Sequence, residues 1–179
     1  MSRPMAPSTI SFDAVPRTAN GHTIVELPKR ASEKLPSRGQ VAAHGTINGH
    51  PFQTVIEPDG DFGHWIRIDE ALQKSLGVTG PATIEVEPTK EWPEPRVPPD
   101  LKKALSAAPK KIQDLWQAIT PMARWEWVRW INETRNPDTR KKRVEVSISK
   151  MSKGSRRPCC FNLSACTDPD LSKSGKLVT

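Results

Sequence analysis

The sequence predicts an α+β protein in which a domain of six short strands precedes a domain of helices. Apolar residues alternate with polar ones up to residue 86, the period of half-buried strands, and recur at helical spacing from residue 101 onwards. Five prolines between residues 88 and 99 separate the two regions. The charge changes there too: residues 1–95 carry 9 basic and 12 acidic side chains, whereas residues 96–179 carry 18 basic and 8 acidic.

The strands of the first region are marked by alternation and by turn residues. Ile10–Ala14 and Thr23–Leu27 predict the first two strands. The clearest signal is Asn48-Gly49, because both residue types tolerate the positive φ of a two-residue hairpin turn. Centred on that turn, Ile47 faces His50 and Val41 faces Ile56, so the predicted register also places apolar residues opposite each other.

A second turn and a short helix follow the hairpin. Pro58-Asp59-Gly60 indicates the turn, and Phe62–Ile68 the next strand, with Phe62 on the same face as Ile66. Asp69 is placed to cap a helix over residues 70–76 that Gly77 ends. Ala82–Val86 is the sixth strand. Six short strands with one or two small helices favour a compact β-barrel or a strongly curved sheet.

The second region reads as a small helical bundle. A first helix lies near Leu101 and Leu105 and stops before Pro109. A second follows the apolar positions 112, 115, 116 and 119. Thr120-Pro121 and Asn136-Pro137 each combine a capping residue with proline at the first helical position, which predicts two more helix starts. The last helix ends before Gly154, although its β-branched run 144–148 could by itself be a strand.

Several segments in the same order resemble the YdeI/OmpD-associated family of bacterial proteins, often labelled bacteriocin-protection proteins. The resemblance lies in residues 130–143, in Lys153–Phe161 and in Val97–Leu101. Gly45–Gly49 and Pro51-Phe52 are similar to a domain of unknown function that often precedes that family's helical region. The resemblance implies that this first domain is a double-split-barrel-like small barrel, distantly related in structure to swapped-hairpin transcription factors. The resemblance implies no catalytic residues for this chain.

These observations divide the chain into four parts. The small β-barrel domain covers residues 8–90, the proline-rich linker 91–99, and the basic helical YdeI/OmpD-associated-like domain 100–165. The composition of residues 166–179 is compatible with a partly disordered tail. An exposed edge strand of the barrel would favour a homodimer.

Composition and motifs exclude several classes of protein. No apolar run approaches the ~20 residues that span a bilayer, and the N-terminus lacks the apolar stretch of a signal peptide, so we expect a cytoplasmic protein. Three cysteines are too few for a secreted disulfide framework. Phosphate-loop, nucleophile-elbow, zinc-protease and dinucleotide motifs are all missing, so we expect neither enzymatic activity nor a cofactor.

A basic tract is the first candidate site. Clustered cations bind phosphates, and the tryptophans at 125, 127 and 130 could stack on bases. Alternatively, the cations form a solvated helix face and the tryptophans anchor the helix to its neighbours. The polyanion-binding candidates are Arg140, Lys141, Lys142, Arg143, Arg156 and Arg157.

Cysteines and a histidine supply two weaker candidates. Cys159, Cys160 and Cys166 follow two arginines, and nearby cations lower the pKa of a thiol. Against a metal site, a structural zinc ion needs four ligands and every histidine lies in the other half of the chain. His64, with Asp59 and Asp61 nearby, could form an acid–base pair, although a hydrogen-bonded structural histidine is the more common case.

We therefore expect a non-enzymatic protein that acts through a protein partner, in a stress response or in protection against antimicrobial peptides or bacteriocins. A second hypothesis is a nucleic-acid-binding regulator that uses the basic helix. A third is a thiol-based redox or metal sensor.

Overall fold

The computed structural model describes residues 9–76, 80–158 and 163–179, the side chains of residues 75 and 76 excepted. Contacts divide the described chain into two units: one contains the residues up to Trp92 together with Leu163–Cys166 and Asp170–Thr179, and the other contains Pro93 to Pro158 and Thr167–Pro169. The chain thus leaves the first unit within the predicted linker and returns to it near its end.

The first unit is built on a curled antiparallel sheet. Its strand order is β1-β7-β4-β5-β6-β3-β2. Two short helices belong to the same unit, α1 (Lys29–Ser32) and α2 (Glu70–Leu76). The seven strands of this sheet in the described chain are β1 (Ile10–Ala14), β2 (Arg17–Ala19), β3 (His22–Glu26), β4 (Val41–Ile47), β5 (His50–Pro58), β6 (His64–Ile68) and β7 (Ala82–Pro88).

The hairpin prediction is confirmed residue by residue. Strands β4 and β5 pair in the predicted register, with Ile47 opposite His50 and Val41 opposite Ile56. Asn48 and Gly49 adopt φ of 48° and 82°, as the two-residue turn requires. Apolar side chains of the strands, among them Ile47 and Ile56, form one buried core on the inner face of the sheet.

The prediction of six strands is wrong by one, because β2 was missed. With only three residues, β2 shows no readable alternation. The signal was nevertheless present: Asn20 and Gly21 connect β2 to β3 at φ of 46° and 82°, the same turn as in the predicted hairpin. Phe62 also differs from prediction, since β6 begins at His64 and the Phe62 side chain is exposed.

The described residues of the second unit form four helices, and the last of these helices contacts the other three. They are α3 (Pro99–Ala107), α4 (Lys110–Ala118), α5 (Pro121–Asn132) and α6 (Pro137–Ser152). The two caps predicted for these helices are confirmed: the Thr120 side chain accepts from the amide of Ala123, and the Asn136 side chain from those of Asp138 and Thr139. Residues 144–148 are helical, so the alternative reading of that run as a strand is wrong.

Apolar side chains from all four helices form a second core. Trp127 and Ile131 of α5 are fully buried and pack with Leu101 of α3, Ile112 of α4 and Met151 of α6. In the described residues, no helix has the length and apolar character that crossing a membrane requires.

The last residues differ from the expected disordered tail, because Leu163–Cys166 and Asp170–Thr179 pack in the first unit. Strands β8 (Ser172–Lys173) and β9 (Lys176–Leu177) form a hairpin. Leu171 is fully buried and Cys166 nearly so, in a small cluster with Ile24 of β3 and Trp65 of β6. The sequence does not predict this packing, because the tail is mostly polar. Its few apolar side chains contact strands that lie more than 100 residues earlier in the chain.

Candidate functional site

The basic tract begins in the first turns of α6, where Arg140 forms an ion pair with Asp100. The Arg140 Nε lies 2.6 Å from Asp100 Oδ2, and Nη2 lies 3.2 Å from Oδ1. Nη2 also donates to the side chain of Asn132, at the end of α5. Burial alone would raise the pKa of Asp100, but the hydrogen bonds from Arg140 and from the Leu101 amide outweigh it and lower that pKa. Arg140 therefore joins three helices rather than offering a free cation.

Arg143 is held in a similar way, one turn further along α6. Its Nη1 donates to Glu133 Oε2 at 3.1 Å and to the carbonyl of Trp130 at 2.7 Å. The guanidinium lies 5.3 Å from the centre of the Trp130 ring, within the range of a cation–π contact. The Trp130 ring therefore contacts an arginine of its own chain, and the Trp127 side chain is fully buried. Both observations favour the alternative in which these tryptophans anchor α5 to its neighbours.

Arg157 pairs with a buried carboxylate of α5. Its Nε lies 2.6 Å from Glu126 Oε2, and its Nη2 donates to Glu126 Oε1. The hydrogen bond to Glu126 raises the pKa of Arg157 despite the opposing effect of partial burial. Because a buried carboxylate without a partner is costly, this ion pair ties the segment after α6 to the helical core. The indole nitrogen of Trp127 reinforces the attachment by donating to the Arg156 carbonyl at 2.9 Å.

The structure thus divides the six polyanion-binding candidates into two groups. Arg140, Arg143 and Arg157 have carboxylate partners within the helical unit. The other three are exposed and form no ion pair with the described residues: Lys141, Lys142 and Arg156. In α6 the exposed Lys141 and Lys142 lie between the paired Arg140 and Arg143 because consecutive helical residues point in different directions. The sequence pattern does not show which arginines have partners, since those partners lie on other helices.

The three thiol candidates do not form a described cluster. Cys159 and Cys160 lie outside the described residues. Cys166 is 3% exposed and packs against Trp65 and Leu171 on the first unit, where its amide donates to the Gly175 carbonyl. Within the described chain, no group of His, Cys, Asp and Glu side chains could hold a metal ion.

His64 lies in a buried hydrogen-bond network and not in the acid–base pair proposed from the sequence. Its Nε2 lies 3.0 Å from the Gly39 carbonyl, which can only accept, so Nε2 carries the proton. Its Nδ1 then accepts from the Ser32 hydroxyl at 2.6 Å. Asp59 instead accepts from the amides of Asp61 and Gly63. Burial lowers the pKa of His64, which favours the neutral ring that this network needs.

A groove between α3 and α4 is a site that sequence reasoning missed. It has a volume of about 620 Å³, and its lining includes the apolar Leu105 and Trp116 and the polar Lys102 and Gln117. Gln113 shapes it by donating to the carbonyls of Ser106 and Ala108, which hold the turn between the helices. The apolar residues are recognisable from helical spacing, but a groove exists only through the angle at which the two helices pack.

Comparison with known families addresses both parts of the chain. Residues 94–154 match the model of the family described as Bacteriocin-protection, YdeI or OmpD-Associated. Residues 12–88 match the model of a domain of unknown function, DUF1905. No curated protein matches the chain. The two matches confirm the resemblance on which the sequence prediction was based. The helical part of the chain is therefore similar to the YdeI/OmpD-associated family, and the part that precedes it is similar to DUF1905.

Proposed function

We propose that the protein is a non-enzymatic, cytoplasmic bacterial protein that contributes to protection against antimicrobial peptides or bacteriocins, or to a related stress response, by binding a partner protein. The observation that supports this proposal most is the match of residues 94–154 to a family described by bacteriocin protection. Those residues contain the four helices with their common core and the groove between α3 and α4.

Charge favours an indirect role over capture of the toxic peptide itself. The chain has a formal net charge of +7, and its excess of cations lies in residues 96–179. A cationic peptide would be repelled by this half, since like charges at an interface reduce both association rate and affinity. The mechanism we propose is therefore contact with a protein of the same cell.

The groove between α3 and α4 is the surface we propose for that contact. In this proposal Leu105 and Trp116 contact an apolar side chain of the partner, and Lys102 in the lining selects a segment that carries a carboxylate. Lys102 is exposed and forms no ion pair with the described residues, so its charge is available. Lys111 on α4 is also exposed but does not line the groove, and it supplies a matched control.

Deleting the gene should reduce survival of the source bacterium when it is challenged with an antimicrobial peptide. Wild-type protein and the Lys111→Glu variant should restore survival, whereas Lys102→Glu should not, because it replaces the attractive charge at the groove by a repulsive one. Survival is measured as colony counts against peptide dose, with protein levels checked by immunoblot. Unchanged survival after deletion would contradict the protective role. Full rescue by Lys102→Glu would contradict the proposal that the partner binds in the groove.

A second candidate function is nucleic-acid binding, which the exposed Lys141, Lys142 and Arg156 favour. In this hypothesis the curled sheet is a double-split-barrel-like domain, the four helices are a small bundle, and α6 contacts phosphates. Titrating duplex and single-stranded nucleic acid at several salt concentrations should then give a steep salt dependence. Changing both lysines to alanine should reduce the slope of log affinity against log salt by about 2 for duplex DNA. No detectable binding at low salt would exclude this function.

A further inference from the structure

Phe62 stands out in the first unit because it is both exposed and strained. Its side chain is 81% exposed, and its φ is 69°, in the left-handed region that bulky residues rarely adopt. Exposing a phenyl ring and straining its backbone both cost free energy. Such a conformation persists where the surroundings enforce it, and it is found preferentially at binding and switch regions.

Hydrogen bonds on both sides hold the Phe62 backbone in place. The Asp59 carboxylate accepts from the amides of Asp61 at 2.7 Å and Gly63 at 2.8 Å, and the Asp59 amide donates to the Gly63 carbonyl at 3.0 Å. Arg38 donates to the Phe62 carbonyl at 3.0 Å. A Cβ at position 63 would lie 2.3 Å from Asp59 Oδ2, so the loop requires glycine there. The ring is therefore presented by a rigid loop, and binding it loses little backbone entropy.

A pocket of about 650 Å³ lies directly beside this ring. Leu27 and Leu35, both buried members of the sheet core, contribute its apolar lining. Charged side chains of both signs line the same opening, Lys29 and Asp61 among them. We call the surface formed by Leu27, Lys29, Leu35, Asp61 and Phe62 the Phe62 face.

The Phe62 face combines features that can complement each other between two copies: an exposed ring beside a pocket, and charges of both signs. In a two-fold pair the same patch of each copy meets the other, so that the ring of one copy can enter the pocket of the other and Lys29 can face Asp61. The present partners of these charges are weak: Lys29 lies 4.0 Å from Glu33, Asp61 lies 3.8 Å from Lys176, and all four side chains are more than half exposed. Those charges can therefore exchange partners at little cost. A ligand of a single charge sign would meet side chains of both signs at this opening.

We propose that the Phe62 face binds a second copy of this chain and forms a two-fold dimer in which each Phe62 ring enters the pocket of the other copy. Aromatic side chains are typical of the buried centre of such interfaces. This surface is distinct from the edge strand that the sequence indicated for a homodimer, because Phe62 lies in the loop between β5 and β6, in the middle of the strand order.

The first test measures the mass of the full chain in solution by sedimentation equilibrium over a range of concentrations. We expect twice the 19.9 kDa of one chain at high concentration. Phe62→Ser should raise the dimer dissociation constant at least tenfold. Val15→Ser, which changes a residue that is 63% exposed and outside the Phe62 face, should leave it unchanged. Circular dichroism verifies that both variants fold.

A charge exchange tests the orientation. Lys29→Asp and Asp61→Lys should each weaken self-association, because every copy then meets a like charge twice. Mixing the two variants in equal amounts should restore dimers, since the mixed pair has two opposite-charge contacts. A wild-type chain that stays monomeric at all concentrations, a dimer unaffected by Phe62→Ser, or a mixture that does not recover would overturn the proposal.

Discussion

Deleting residues 163–179 should destabilise the β-sheet unit by about 3–6 kcal/mol, because it would expose Ile24 and Trp65, which are 0% and 2% exposed in the intact chain. The deletion also removes long-range hydrogen bonds to that unit. Arg17 donates to the Val178 carbonyl and Asn20 to that of Asp170, each at 2.6 Å, His22 bonds the Asp170 carboxylate at 2.8 Å, and Leu177 donates to the Asp59 carbonyl at 2.8 Å. Whole domains are stable by only about 5–15 kcal/mol, so the loss is large.

Amide hydrogen exchange followed by mass spectrometry checks this result. Protection should fall in β2, β3 and β6, while α5 and α6, whose core contains no residue of the tail, serve as the internal reference. Leu171→Ala is a milder version that should cost about 2–5 kcal/mol, because this leucine is fully buried. Lys173→Ala changes an exposed residue of the same hairpin and should cost less than about 0.5 kcal/mol. Undiminished protection in the truncated chain would contradict the role given to the tail.

The free energy of unfolding should decrease as the pH is lowered below the ordinary His64 pKa of 6.5, because burial lowers this pKa in the folded protein. Between the lowered value and 6.5 the unfolded chain binds more protons than the folded one. The contribution of His64 to the free energy of unfolding is therefore fully present above pH 6.5. It is lost as the pH falls towards the folded-state pKa, with a slope of at most about 1.4 kcal/mol per pH unit. Protonation would place a hydrogen on Nδ1, which now accepts from Ser32, and a charge near Arg38.

Denaturant titrations between pH 5 and 8 measure the contribution of His64. His64→Gln removes the titrating group and should flatten this part of the pH dependence, whereas His50→Gln, at an exposed position, should retain it. Ser32→Ala should cost about 1–3 kcal/mol at neutral pH, because it leaves the buried Nδ1 without its donor. Equal slopes for wild type and His64→Gln would show that other groups cause the pH dependence.

The predictions that the structure confirms depend on short-range chemistry. Asn48-Gly49 specifies its own turn, and the turn specifies the register of β4 and β5. Thr120 and Asn136 accept from amides two or three residues away, so their caps are visible in any window of four residues. The missed strand β2 belongs in the same class, because Asn20-Gly21 was an equally readable turn.

The structural features that the sequence did not predict depend on contacts between residues that are far apart in the chain. Arg140 and Asp100 are separated by 40 residues, and Arg157 and Glu126 by 31, so a run of cations looks uniform until the helices pack. Phe62 was assigned to a strand by its alternation, but the loop bonds from Asp59 and Arg38 turn it outward.

The sequence alone determined six of the strands and the four helices of the second unit in their order, the central hairpin with its register, and the two-part family resemblance, because turns, caps and apolar periodicity act within a few residues. The tertiary structure alone decided which cations are exposed, where the tail lies, and that a strained ring stands beside a pocket. Each of these depends on side chains from separate elements meeting in space, and their free energies of burial and pairing exist only once the elements have packed.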